Sequence, residues 1–237
     1  MHRRQFIGTT LAASVALFGR AVRAQAATGA RVAPLPKRDR VKVAFMLGEH
    51  ANVIDTAGPW EVFQDASTPE GDSAPFELYT VAPQEGLLEM TGGLRVQPHY
   101  TIKNAPAPNV IVVPAHKSTA QSRDWLARAS AGTDVTMSVC TGAFQLARAG
   151  LLKGVAATTH HDFFDSFAKE FPDIELRRGL RFVDSGRIAT AGGLTSGIDL
   201  ALHIVEKYYG RAVAEQTAFY MEYQGQGWKE VQVRTAK

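Results

Sequence analysis

Residues 138–142 read Ser-Val-Cys-Thr-Gly and hold the single cysteine of a 237-residue chain. Small residues stand two positions before and two after it, at Ser138 and Gly142. That spacing suits a sharp strand-to-helix corner, where the two backbones pass too closely for larger side chains. A free cysteine is often no more than a small buried hydrophobe. One cysteine forms no disulfide within its own chain, so Cys140 is either inert by burial or kept for its reactivity. The corner spacing favours a nucleophile. A helix starting behind Cys140 would turn its positive end toward the sulfur. That predicts a thiolate near neutral pH, with a pKa below the ordinary value of about 8.5. The Thr141 N–H is then placed to hold a developing oxyanion.

Such a corner needs elements to carry it. Residues 41–47, 109–114 and 134–139 are short apolar runs of the kind buried in parallel sheets. Residues 76–81 alternate like a strand, and 155–159 read as another. Pro59 is suited to the first turn of a short helix over 59–66. Further helical stretches span 121–131, 142–149 and 162–171. Residues 174–191 are β-rich, with Asp184-Ser185-Gly186 as a hairpin turn. Thr195 or Ser196 is placed to cap a strong helix, whose apolar positions Ile198, Leu202, Val205 and Tyr209 recur every three or four residues. A last helix is predicted over 211–223. Strands alternating with helices predict an α/β domain, a mostly parallel sheet with helices on both faces. Its site belongs at the carboxyl ends of the strands.

Residues 138–161, SVCTGAFQLARAGLLKGVAATTHH, resemble the ThiJ/PfpI branch of the class I glutamine amidotransferase-like fold. Within that branch they are most similar to isonitrile hydratases and to the amidase-like domains of AraC-type regulators. Two more motifs agree: Ile54-Asp-Thr-Ala-Gly-Pro59 and Ala191-Gly-Gly-Leu-Thr-Ser-Gly-Ile-Asp199. The resemblance implies a flavodoxin-like sandwich, a homodimer, and no cofactor or metal. It implies that Cys140 is the nucleophile, Asp55 the acid beside the thiol, and Thr141 a residue whose hydroxyl touches thiol or substrate. It places Gly58 of the first motif near the substrate. Peptidase-like members carry His where this chain has Thr141, so a protease is disfavoured.

One segment departs from the family. Pro-Gly-Gly usually follows its third strand and supplies a second oxyanion amide; here the residues are Pro114-Ala115-His116. Ala115 keeps that amide in place if its φ is negative, and distorts the hole if φ is positive. His116 is read either as a proton donor at the pocket rim or as a solvent-facing loop histidine. The implied reaction is isonitrile hydration. Cys140 attacks the terminal carbon of an isocyanide, Asp55 manages protons and activates water, and an N-substituted formamide leaves. The alternatives are glyoxalase- or deglycase-like action on α-oxoaldehydes, and a non-catalytic ligand or redox sensor.

The first 26 residues read differently. Arg3-Arg4 with Phe6, a modest apolar run over 9–18, and Ala24-Gln25-Ala26 follow the order of an export signal. The twin arginine points to Tat export and a periplasmic or secreted protein. The apolar run is too short to span a membrane. A linker over 27–40 would lead into one domain over 41–237. The signal holds four of the 26 basic residues and none of the 23 acidic ones. The remainder is near neutral and suggests no nucleic-acid surface. With no room for a helix-turn-helix before Lys237, the expected partner is a small-molecule substrate, with neither nucleic acid nor stable membrane insertion. His160-His161-Asp162 is not expected to share a metal, because adjacent strand side chains face opposite ways. Asp199 is expected to favour a helix start, and Trp60, Trp125 and Trp228 to pack.

Overall fold

The computed structural model describes residues 34–68 and 74–230. The export signal and the first half of the linker, residues 27–33, lie outside the described residues. In chain order the elements begin with β1 (Val41–Met46), α1 (Val53–Asp65), β2 (Phe76–Ala82), β3 (Leu88–Glu89), β4 (Arg95–Val96), β5 (Tyr100–Thr101) and β6 (Val110–Val113). Next come α2 (Ala120–Ser130), β7 (Val135–Ser138), α3 (Gly142–Arg148), β8 (Ala156–Ala157), α4 (Phe164–Glu170) and β9 (Glu175–Leu176). The last are β10 (Phe182–Asp184), β11 (Ile188–Ala191), α5 (Ser196–Tyr209) and α6 (Arg211–Tyr220).

Seven strands form one sheet in the order β10-β11-β7-β6-β1-β2-β5. All neighbours in it pair parallel except β10 with β11. Alternation along β1 divides the core. Val41, Val43 and Phe45 join α1, α5 and α6 on one face, while Ala44 and Met46 join α2, α3 and α4 on the other. This is the mostly parallel α/β sheet expected from the alternating pattern, in the flavodoxin-like arrangement that the family resemblance implies. Among the described residues no helix is long and apolar enough to cross a membrane.

Several local expectations are corrected. Helix α1 starts at Val53, not at Pro59, because the Asn52 side chain accepts from the N–H groups of Ile54 and Asp55 and caps it there. Pro59 therefore lies inside the helix, where its missing N–H deprives the Asp55 carbonyl of a partner. The strand expected at 155–159 is only two residues long and pairs with β9 outside the main sheet. Thr195 precedes α5 without a side-chain cap; its hydroxyl accepts from Arg181 instead.

The hairpin between β10 and β11 turns where Asp184-Ser185-Gly186 places it, with Gly186 at φ 89°. Asp184 does more than turn. It is buried, and its Oδ2 accepts from His203 Nε2 and Lys207 Nζ, both at 2.8 Å. That cluster pins the hairpin to α5.

Candidate active site

The strand-to-helix corner is built by close approach. Val139 N–H continues the ladder to the Val113 carbonyl at 3.0 Å, and Cys140 N–H reaches the Gly192 carbonyl at 2.8 Å. The Thr159 hydroxyl donates to the Cys140 carbonyl at 2.9 Å. A Cβ on Gly142 would sit 2.0 Å from the Val113 carbonyl oxygen, so no other residue fits there. Cys140 takes φ 59°, a left-handed conformation that costs a non-glycine residue about 1 kcal/mol. The neighbours on β6 and β11 hold it there.

Asp55 enters from the first turn of α1 and is fully buried. Its Oδ2 accepts from Ala115 N–H at 3.1 Å, while Asn52 N–H donates to the Ala115 carbonyl at 2.8 Å. These bonds bridge the crevice between β1 and β6. The chain reverses its direction of travel across the sheet there, which is where ligands bind in such sheets. The other oxygen, Oδ1, is buried and has no well-formed hydrogen bond. The Leu194 N–H and the Cys140 thiol are the remaining polar groups that act on the carboxyl. Burial raises Asp55 to about 6, against the opposing pull of the Ala115 and Leu194 amides and the thiol.

Burial also pushes the Cys140 thiol up to about 12, and the negative charge of Asp55 adds to the effect. The Thr141 N–H and hydroxyl pull the other way. The expectation of a resting thiolate is therefore corrected. Helix α3 has only seven residues. A helix dipole worth up to about 1 kcal/mol at an exposed site does not outweigh desolvation and a facing carboxylate. Near neutral pH the charge sits on Asp55 and the proton on sulfur.

Three other residues stand differently from expectation. Ala115 keeps φ out of the left-handed region, yet its N–H points at Asp55 and is no free oxyanion donor. His116 is at neither rim nor solvent. It is buried against Gly48, where a Cβ would meet its Cδ2 at 2.6 Å. Its Nδ1–H donates to the Pro114 carbonyl at 2.9 Å, and its buried Nε2 has no partner. Burial lowers its pKa to about 4, so it stays neutral. Gly58 serves packing: a Cβ there would meet Ile198 Cγ1 at 2.9 Å, where α5 crosses α1.

His160 and His161 flank a single turn rather than a strand, and their rings stack at 4.3 Å. With Asp162 they bring ligand-type atoms within 4.8 Å of one another. However, His160 Nδ1 already accepts the Asp162 N–H at 3.2 Å. His161 and Asp162 are exposed, so the three residues form an open surface cluster on one turn. Asp199 lies in the first turn of α5, where an acidic side chain suits the positive end of the helix, and it caps no backbone N–H there. It is buried under Arg181 Nε at 2.6 Å and Tyr223 Oη at 3.1 Å. Trp125 and Trp228 are buried. Trp60 packs at 4.9 Å from Phe45.

Sequence reasoning missed Leu194. It adopts φ 53° beside Gly193 and turns its N–H toward Asp55. The Gly-Gly preceding it was the one available signal, since it marks a turn without showing where the next amide points.

A model of the DJ-1/PfpI family matches residues 41–207. The isonitrile hydratase of Pseudomonas putida is 29% identical over 189 residues, covering 77% of this chain and 78% of that protein. The HTH-type transcriptional regulator GbdR of Pseudomonas aeruginosa is 26% identical over 186 residues, covering 76% of this chain. The match takes in 50% of the regulator, so this chain spans about half its length. Among solved structures, a ThiJ/PfpI family protein from Pseudomonas syringae aligns with a TM-score of 0.70 at 25% identity, over 87% of this chain and 84% of that one. The oxidized DJ-1 of Toxoplasma gondii shares the fold, with a TM-score of 0.64 at 20% identity over 78% of this chain and 100% of that one.

Proposed function

The chain belongs to the DJ-1/PfpI family, and on that premise we propose that it is a cysteine-dependent enzyme adding water to a small isocyanide. The observation that carries this reading is the commitment of Ala115 N–H to Asp55. Attack on an aldehyde or acyl carbon gathers negative charge on oxygen and calls for free donors beside it. Attack on an isocyanide carbon gathers none on oxygen. It requires a proton delivered to that carbon, and a protonated thiol beside an ionised carboxylate supplies one.

As the S–C bond forms, Asp55 takes the thiol proton and passes it to the same carbon, leaving a thioformimidate on Cys140. Water then adds across the C=N bond, its oxygen to carbon and one proton, through Asp55, to nitrogen. The C–S bond breaks, the departing sulfur regains a proton, and the N-substituted formamide leaves. One water is consumed and the pair returns to its starting state.

The test is incubation of the protein with a simple alkyl isocyanide, following formamide by NMR. Wild type should turn over and Cys140→Ala should not. An inert wild type that instead consumes methylglyoxal would replace this reading with the glyoxalase-like one. Similarity to GbdR supports a second reading, a ligand-sensing module. Saturable binding of a small molecule without turnover would favour it. Export through Arg3-Arg4 and assembly as a homodimer belong to the same proposal, on the strength of the signal-like residues 1–26 and the family resemblance. Solution mass by light scattering tests the dimer.

A further inference from the structure

We infer that Arg181 is a positioning residue for the Cys140–Asp55 pair, because it holds both ends of the turn over residues 192–195 that touches each member. The assignment rests on the hydratase reading above, since any effect on rate passes through those two groups. The turn has two duties. The Gly192 carbonyl accepts the Cys140 N–H at 2.8 Å, and the Leu194 N–H acts on the Asp55 carboxyl.

Leu194 does not hold that shape by itself. It takes φ 53°, a strained left-handed value for a residue with a Cβ. Its side chain is 40% exposed, so burial of that side chain does not fix the backbone. Such strain persists only where the surroundings over-determine the conformation. Arg181 supplies the constraint from both sides. Its carbonyl accepts the Gly192 N–H at 2.9 Å, one step past the pairing of Phe182 with Ala191 in the β10–β11 hairpin. Its side chain crosses to the far end, where Nη2 donates to the Thr195 hydroxyl at 3.3 Å and Nε to Asp199 Oδ2 at 2.6 Å.

Asp199 makes a firm anchor. It is buried in the first turn of α5, and its other oxygen accepts from Tyr223 Oη at 3.1 Å. A Cβ on Gly227 would meet Asp199 Oδ2 at 2.9 Å and Arg181 Cγ at 3.1 Å, so the C-terminal segment closes over the pair. A carboxylate buried this deeply needs its cation, which keeps the guanidinium in place. The Ala115 and Leu194 amides and the thiol act on Asp55, and the charges of Arg181 and Asp199 are not among those groups. Arg181 therefore reaches the carboxyl through the backbone of the turn. Freed from that hold, Leu194 would relax out of its left-handed conformation and withdraw its N–H.

The experiment titrates Asp55 by isotope-edited NMR of labelled aspartate carboxyls, alongside the pH profile of isocyanide turnover. It compares wild type with Arg181→Ala, with the double variant Arg181→Ala/Asp199→Asn, and with Asp184→Asn. The double variant removes one charge of each sign and leaves no buried carboxylate unpaired, so it serves where Arg181→Ala alone fails to fold. Loss of one amide bond to the carboxylate should raise the Asp55 midpoint by about one unit in both Arg181 variants. From a wild-type midpoint of about 6, turnover at pH 6 should then fall roughly fivefold, and at pH 9 hardly at all. Asp184→Asn, destabilised away from the turn, should keep the midpoint and the pH profile of wild type. A folded double variant with an unshifted Asp55 midpoint overturns the assignment, and so does an equal shift in Asp184→Asn. A wild type inert toward isocyanides, whose Arg181 variants still shift the Asp55 midpoint, overturns the hydratase reading alone.

Discussion

Asp55 and Cys140 face one another at the carboxyl ends of β1 and β7, with the carboxyl raised to about 6 and the thiol to about 12. Between those values the pair holds one negative charge, on oxygen, and one proton, on sulfur. Burial sets both shifts. The carboxylate, by its charge, discourages a second anion beside it.

Alkylation of Cys140 by iodoacetamide should accordingly be slow at pH 7 and still rising at pH 10. Asp55→Asn removes the facing charge and should speed alkylation at pH 8, roughly tenfold or more if one ordinary charge interaction is lost. Rapid alkylation of wild type at pH 7, levelling before pH 9, would show that a thiolate rests in this site after all.

Turnover should climb as Asp55 ionises, with a midpoint near pH 6, and stay level to pH 10, where the thiol is still protonated. Asp55→Asn should lower kcat by about 10²- to 10⁴-fold, the usual worth of a positioned acid–base group. Stability moves the opposite way. The folded state binds the Asp55 proton more tightly than the unfolded chain does. Its contribution is complete below 3.8 and is lost as pH rises through 6. We therefore predict a higher Tm for Asp55→Asn than for wild type at pH 8, and a vanishing difference at pH 3.5. A lower Tm for the variant at pH 8 would contradict the raised carboxyl.

The corner itself can be tested by backbone chemistry. Cys140→Gly should be more stable than Cys140→Ala by about 1 kcal/mol, since glycine adopts φ 59° without strain. Gly142→Ala should fail to fold or lose the corner, because its methyl would overlap the Val113 carbonyl. A normal Tm for Gly142→Ala would mean that β6 and α3 are not packed this closely.

Asp184 offers a test far from the chemistry. Its bonds to His203 and Lys207 outweigh burial and hold it down at about 2. A depressed carboxyl contributes stability above its unfolded value of 3.8, and that contribution is lost as pH falls toward 2. Asp184→Asn should destabilise by about 3 to 5 kcal/mol at pH 7, because Lys207 is left buried without a counter-charge. Isocyanide turnover per folded molecule should be unchanged. Denaturant melts at pH 7 and pH 3 check both statements.

For export, replacing Arg3 and Arg4 with a lysine pair should retain the protein in the cytoplasm. Unchanged periplasmic yield from that double variant would remove the twin-arginine reading.

How much of this was legible in the residues depends on how local each cause is. The corner was legible because Ser138, Cys140 and Gly142 answer to sterics within five residues, and Gly142 meets Val113 as the spacing requires. The parallel sheet was legible because apolar runs such as 110–113 have few other places to go. The start of α1 was misread for a local reason as well, since the Asn52 cap outranks the preference of Pro59 for a first turn. The charge state was beyond the sequence. Whether Cys140 rests as thiol or thiolate depends on desolvation and on a carboxylate 85 positions earlier in the chain, and neither is a property of the nearby residues. The Ala115 amide turns to Asp55, and His116 sinks against Gly48, because separate strands converge at one end of the sheet. Sequence by itself determined which side chains were available for chemistry. Tertiary structure decided which of them are dry, which donors are already taken and where the proton sits, because hydrogen bonds and burial are made by residues distant in the chain.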